Sequence, residues 1–150
     1  MRGYFGIGVE NIKTKHNIGT LLRSANIFDA QFLFTIGRRY KRQYSDVLNS
    51  SKSIPLYTYQ DFNDFYQHLP YNCQLIGIEL TNESQPIETF VHPERCIYLL
   101  GAEDSGLTKK ALEKCHKKIQ IPGKFCLNVA VAGSIIMYDR VMKQNLKQTG

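Results

Sequence analysis

Three short stretches of the chain carry residue types suited to binding and group transfer. The first is Asn17-Ile18-Gly19-Thr20-Leu21-Leu22-Arg23-Ser24-Ala25. Arginine offers a planar fork of donors that matches a phosphate, and Asn17 has the side chain of a helix cap. By itself this stretch reads best as a cap followed by a solvent-facing arginine. Gly19 weakens the expected helix near its start and points to close approach by another backbone or a ligand. The second stretch, Leu99-Leu100-Gly101-Ala102-Glu103-Asp104-Ser105-Gly106-Leu107, runs from an apolar segment into a glycine-rich turn with adjacent acids. Glu103 can accept hydrogen bonds from a ligand or orient an arginine; equally, the acids can cap a following helix. The third is Ile119-Gln120-Ile121-Pro122-Gly123, followed by Phe125-Cys126-Leu127-Asn128-Val129-Ala130-Val131-Ala132. There Asn128 stands near the start of a helix whose small residues permit tight packing, which is also the description of an ordinary buried terminal helix.

Other chemistries lack their residues. Gly6-Ile7-Gly8 begins like a dinucleotide fingerprint, but Asn11 stands where a third glycine is needed, and Lys13-Thr14-Lys15 does not open an apolar helix. No GxxxxGK[ST] phosphate loop occurs. The four cysteines, Cys73, Cys96, Cys115 and Cys126, form no CxxC pair, and no Cys–His spacing fits zinc. His16, His68, His92 and His116 are scattered. A metal site is not expected.

The elements that must position these stretches alternate strand and helix. Strands are expected at 4–9, 32–36, 55–59, 73–79, 95–100 and 117–121. Helices are expected at 18–29, 60–68, 108–116 and 127–147. The apolar residues Ile18, Leu21, Leu22, Ala25 and Phe28 recur at helical spacing, as do Val129, Ala132, Gly133, Ile136 and Val141. Residues 38–53 are polar and basic, a loop or a short surface helix, and 84–93 is a loop with two prolines. This alternation implies an α/β fold, a parallel sheet covered on both faces. Ligands in such sheets bind beyond the carboxyl ends of the strands, where the second and third stretches begin.

At 150 residues the chain reads as a single domain with a sizeable core. No apolar run is long enough to span a bilayer. The start of the chain lacks the pattern of a secretory signal, so reduced thiols and a cytoplasmic location are expected. Net charge is +6, unevenly spread: residues 1–60 sum to +6, 61–108 to −7 and 109–150 to +7. If the two basic blocks meet in space, they form a phosphate-binding face; otherwise they are a solvated surface.

Taken together and in this order, the three stretches resemble the three motifs of the SpoU–TrmH family of RNA ribose methyltransferases, within the SPOUT superfamily. The resemblance begins at Gly6 and runs almost to the end of the chain. It implies a sheet flanked by helices with a C-terminal deep trefoil knot. It also implies a homodimer with its active site near the subunit interface, and transfer of a methyl group from S-adenosyl-L-methionine to a ribose 2′-hydroxyl of RNA. Carried onto this sequence, Arg23 is the catalytic arginine with Asn17 as its motif partner, Glu103 is the glutamate of the second motif, and Asn128 the asparagine of the third. The cofactor is then expected against backbone around Ile78, Leu100, Gly101, Ile121, Cys126 and Leu127. Two positions depart from the family pattern: Cys126 and Ala130 stand where serine is usual. Arg38, Arg39, Lys41 and Arg42 become candidate RNA contacts, with Lys109, Lys110, Lys114, Lys117 and Lys118 as a second cluster. The substrate expected is tRNA over rRNA. The competing reading is a catalytically silent RNA-binding module of the same fold.

Overall fold

The computed structural model describes residues 3–37 and 54–149. Seven strands form one sheet: β1 (Tyr4–Glu10), β2 (Phe32–Ile36), β3 (Leu56–Tyr59), β4 (Gln74–Ile78), β5 (Gln85–Pro86), β6 (Arg95–Leu100) and β7 (Lys117–Gln120). Their order is β3-β2-β1-β6-β4-β7-β5, and every neighbouring pair is parallel. The helices are α1 (Lys15–Ile27), α2 (Phe62–Gln67), α3 (Lys109–Lys114) and α4 (Val129–Thr149). The basic residues Arg38, Arg39, Lys41 and Arg42 lie outside the described residues.

Strand β6 shows why the sheet is buried on both sides. Successive side chains of a strand point to opposite faces. Cys96, Tyr98 and Leu100 join the core beneath α1 and α4, with Ile7, Val9, Leu21, Ile136 and Met137. Ile97 and Leu99 join the opposite core beneath α2 and α3, with Phe34, Phe65, Leu75 and Ala111. Burying each such side chain contributes roughly 1.5–3 kcal/mol. The glycines of β1 are steric: a Cβ on Gly6 or Gly8 would stand 2.5 Å from the ring of Phe32 or Phe34. They leave room for aromatic rings, which accounts for a GxG pattern with no dinucleotide behind it.

Several boundaries differ from the sequence reading. Helix α1 starts before residue 18 because Thr14, not Asn17, caps it, accepting a hydrogen bond from the Asn17 amide at 3.4 Å. Asn17 thus lies in the first turn with its side chain free for other partners. Within the expected loop 84–93, Gln85–Pro86 pairs with β7 as the edge strand, and Ile87–Thr89 forms a 3₁₀ turn. Thr108, rather than Glu103 or Asp104, caps α3.

The inner face of α4 holds a buried polar network below the sheet that the apolar periodicity did not reveal. Arg140 is fully buried. It donates to the carbonyls of Pro93 (2.7 Å) and Glu94 (3.0 Å) and to the Tyr98 hydroxyl (3.2 Å), and stacks over the Phe5 ring. His92 bonds Tyr98 Oη at 2.6 Å and Asp139 at 2.7 Å. Lys143 closes the cluster, pairing with Asp139 and donating to the carbonyls of Ile87 and Phe90.

Candidate active site

The segments that leave β4, β6 and β7 converge at the carboxyl ends of the strands, where an open parallel sheet binds its ligands. They enclose a cavity of about 280 Å³. All six residues expected around the cofactor line it: Ile78, Leu100, Gly101, Ile121, Cys126 and Leu127. Their neighbours Glu79, Glu103, Asp104 and Gly106 line it as well.

The loop after β6 is folded tightly on itself. Gly106 donates from its amide to the Ala102 carbonyl at 2.8 Å and takes φ +70°. A Cβ on Gly101 would stand 2.3 Å from the Gly106 carbonyl carbon. Both glycines are therefore dictated by backbone geometry. Two carboxylates brace the exit of this loop. Glu10, only 2% exposed at the end of β1, accepts from the Thr108 amide and hydroxyl, each at 2.8 Å. Glu79, at the end of β4, accepts from the Leu107 amide at 3.0 Å. Burial pushes the Glu79 carboxyl above its ordinary pKa; the Leu107 amide opposes this, and the nearby Glu10 adds to it.

Three residues from three distant stretches meet at the rim. Asn17 donates through Nδ2 to Glu103 Oε1, and its own Oδ1 accepts from Asn128 Nδ2 at 3.1 Å. Asn128 in turn caps α4, its Oδ1 accepting from the amides of Ala130 and Val131. The chain Glu103–Asn17–Asn128 thus ties the β6 loop, the first turn of α1 and the start of α4 to one another. Lys13 pairs with Asp104 at 3.6 Å across the same rim.

The sequence and the fold are similar to those of known proteins. Residues 5–138 match the SpoU rRNA methylase family. The chain belongs to that family. It is 26% identical over 139 residues to the mouse tRNA (guanosine(18)-2′-O)-methyltransferase TARBP1, covering 87% of this chain and 9% of that protein. It spans less than two thirds of the length of the curated relatives it matches. The fold is that of the SpoU methyltransferase AviRb from Streptomyces viridochromogenes in complex with AdoMet (TM-score 0.85, 20% identity, 97% of this chain and 59% of that one). It is also that of a structure described under 2-OH methylation of C/U34 on tRNA (TM-score 0.84, 18% identity, 97% and 99%).

In this chain the side chains of interest fall into two sets. Asn17, Glu103 and Asn128 are joined by hydrogen bonds. Arg23 is apart from them: it is exposed on α1, in a row with the exposed His16, Thr20 and Ile27. Beside α1, helix α4 leaves Val131, Ile135, Tyr138, Met142 and Leu146 exposed at helical spacing. Cys126 is exposed at the cavity, whereas Ala130 is buried and its carbonyl accepts from Ser134 Oγ. No described residue lies within 4 Å of where a Cβ on Gly19 would stand, so the approach expected there is not made within the described chain. The second lysine cluster divides. Lys114 lies over Tyr66, which packs on the α2–α3 side of the sheet, and Lys117 over Phe90, in the core under α1 and α4. Sequence reasoning missed Glu10 and Glu79 because a lone acid at a strand end carries no pattern; the available signal was an acid directly after an apolar strand.

Proposed function

We propose that this chain is an S-adenosyl-L-methionine-dependent RNA (ribose-2′-O)-methyltransferase, acting on tRNA more than on rRNA. The observation that carries the reading is the hydrogen-bonded set Glu103–Asn17–Asn128 at the rim of one cavity lined by Ile78, Leu100, Gly101, Ile121, Cys126 and Leu127. The donor set of the cavity fits the cofactor. Apolar side chains suit a sandwiched adenine read by backbone groups, and carboxylates suit a positively charged sulfonium. When bound, the cofactor supplies an already activated methyl group. The relatives named for tRNA 2′-O-methylation and the AdoMet complex of AviRb support the same assignment.

The protein's task is then to place the ribose oxygen in line with the methyl group while the hydroxyl proton passes to solvent water. Arg23 grips the RNA phosphate beside the target ribose with its guanidinium fork. Because arginine stays protonated, it serves by positioning and by stabilising the developing alkoxide more than as a base. Asn17, Glu103 and Asn128 hold the rim against which the nucleotide is seated. Arg38, Arg39, Lys41 and Arg42 are assigned to RNA backbone contacts, which position without reading sequence.

The working form proposed is a homodimer. The exposed apolar stripe of α4, next to Arg23 on α1, supports a second copy docking there, so that Arg23 of one protomer completes the site of its partner. A C-terminal trefoil knot belongs to the same proposal, supported by β7 lying between β4 and β5 in the sheet order and by the three cavity loops packed together. Mixing Arg23→Ala with Asn128→Ala protomers tests the shared site: restored activity in the mixture supports it, and a mixture as inactive as its parts overturns it. All four cysteines are free, which suits the cytoplasm.

The deciding experiment is methyl transfer from radiolabelled S-adenosylmethionine to unmodified tRNA and, separately, to rRNA, followed by alkaline hydrolysis. A 2′-O-methyl group blocks cleavage at the next phosphate. Label in alkali-resistant dinucleotides from tRNA is the expected result. Label confined to mononucleotides means base methylation and overturns the chemistry. No incorporation into either RNA, with cofactor binding also absent, returns the silent RNA-binding module.

A further inference from the structure

Transfer of the methyl group breaks the sulfur–carbon bond of the cofactor and leaves both bonding electrons on sulfur. The sulfonium cation becomes a neutral thioether, while the methyl carbon bonds to the ribose oxygen and the hydroxyl proton departs. Cofactor and by-product therefore differ at the reacting atom chiefly by one methyl and one positive charge. A site that senses this charge holds the reactive form and releases the spent one.

The cavity is built to sense it. Three carboxylates line it, Glu79, Glu103 and Asp104, and no lysine, arginine or histidine does so among the described residues. All three belong to the acidic block of residues 61–108, which sums to −7. Two of the three carboxylates are already engaged. Glu103 accepts from Asn17, and Asp104 is paired with Lys13 at 3.6 Å, both side chains being largely in solvent. Glu79 differs. Its Oε2 accepts from the Leu107 amide at 3.0 Å, and among the described residues the charged group acting on it is a second carboxylate, Glu10. It is half-buried at the inner end of the cavity wall, next to Ile78 and Leu80. A negative charge partly removed from water, with no cationic partner among the described residues, interacts more strongly with a bound cation than a solvated one does.

We infer that Glu79 is the specificity-determining residue that makes this cavity prefer the cationic cofactor over its neutral by-product. The inference rests on the cofactor reading above and adds the residue and the charge logic. Glu79 is not placed in the transfer step itself. Its structural bond to Leu107 is retained by glutamine, whose carbonyl oxygen also accepts from an amide, so Glu79→Gln removes charge while keeping the brace.

The test is calorimetric binding to the full-length chain of two stable ligands, sinefungin, which carries an ammonium group in place of the sulfonium, and S-adenosylhomocysteine, the neutral thioether. The wild-type protein is expected to bind the cationic ligand more tightly. In Glu79→Gln the ratio of the two affinities is expected to fall at least about fivefold, the scale of one unit charge about 4 Å away in bulk water. An unchanged ratio in Glu79→Gln, or a wild type that binds the neutral ligand as tightly, overturns the inference while leaving the cofactor reading intact. Binding of neither ligand overturns both.

Discussion

Helix α4 is tied down by polar side chains at its start and midway along, and the two places are built differently. At its start, Asn128, Asn17 and Glu103 form a hydrogen-bonded chain on the rim of a cavity, and Glu103 and Asn128 are solvent-exposed. Midway along, Arg140, Asp139 and Lys143 bind the segment 87–98, with Arg140 wholly buried and the His92 side chain 2% exposed. The lower network spends its donors on protein carbonyls and a tyrosine. It therefore works as a lock between helix and sheet, and breaking it leaves buried groups without partners. The upper network is open on two of its three members: water can replace the bonds of the exposed Glu103 and Asn128, which can also turn to a ligand, while Asn17 between them is 6% exposed. Similar residue types thus serve stability or chemistry according to exposure.

The contrast can be broken or sharpened at four points. The largest effect is expected from Arg140→Ala, which strips a fully buried cation from two carbonyls and the Tyr98 hydroxyl. It should cost about 3–5 kcal/mol in urea unfolding; a loss below about 1 kcal/mol means the lower network is not a lock. Asn17→Ala should do the reverse, lowering kcat/KM for methyl transfer about 100-fold, in the range of a lost transition-state hydrogen bond. Its unfolding free energy should move by less than about 1 kcal/mol. A variant that is destabilised yet fully active would invert the assignment of the two networks.

The third point is pH. Burial lowers the pKa of His92 below its ordinary value despite the opposing Asp139 bond. The unfolded chain then binds the proton more readily than the folded one, so stability rises with pH. The folded state should lose stability as pH falls below about 6.5, progressively down to the folded pKa, and His92→Gln should flatten this part of the curve. An unflattened curve would trace the loss to other groups. In the cavity wall Glu79 has the opposite sign, since its raised pKa makes protonation favour the folded state as pH falls through the folded value towards the unfolded one. The smallest effect belongs to Ser24→Ala. It deletes the 2.7 Å bond to Ser134 that joins α1 to α4, and it should cost about 0.5–1.5 kcal/mol and leave activity unchanged.

Strand and helix alternation made the sheet legible, because buried parallel strands read as apolar runs and α1 and α4 repeat their apolar residues at helical spacing. The six cavity residues were legible only through resemblance: hydrophobic residues and glycines at strand ends have no distinguishing local pattern. Asn17 is instructive. Its type suggested a cap, yet Thr14 took that role and freed the asparagine amide to bridge Glu103 and Asn128. A cap is decided by which of several adequate side chains sits where the backbone turns, and that choice is made by packing.

What the sequence determined by itself is the set of elements, the three stretches that hold the chemistry and the excess of positive charge. These follow from local propensity, periodicity and composition, which do not depend on distant contacts. The tertiary structure alone decided that β6 lies between β1 and β4. It thereby brought Glu10 and Glu79 to brace the Gly101–Thr108 loop from both sides. It also decided that Arg140, a residue type normally solvated, lies in the core. Those outcomes depend on partners 28 to 98 residues away in the chain, and no local window contains the groups whose desolvation and hydrogen bonding select them.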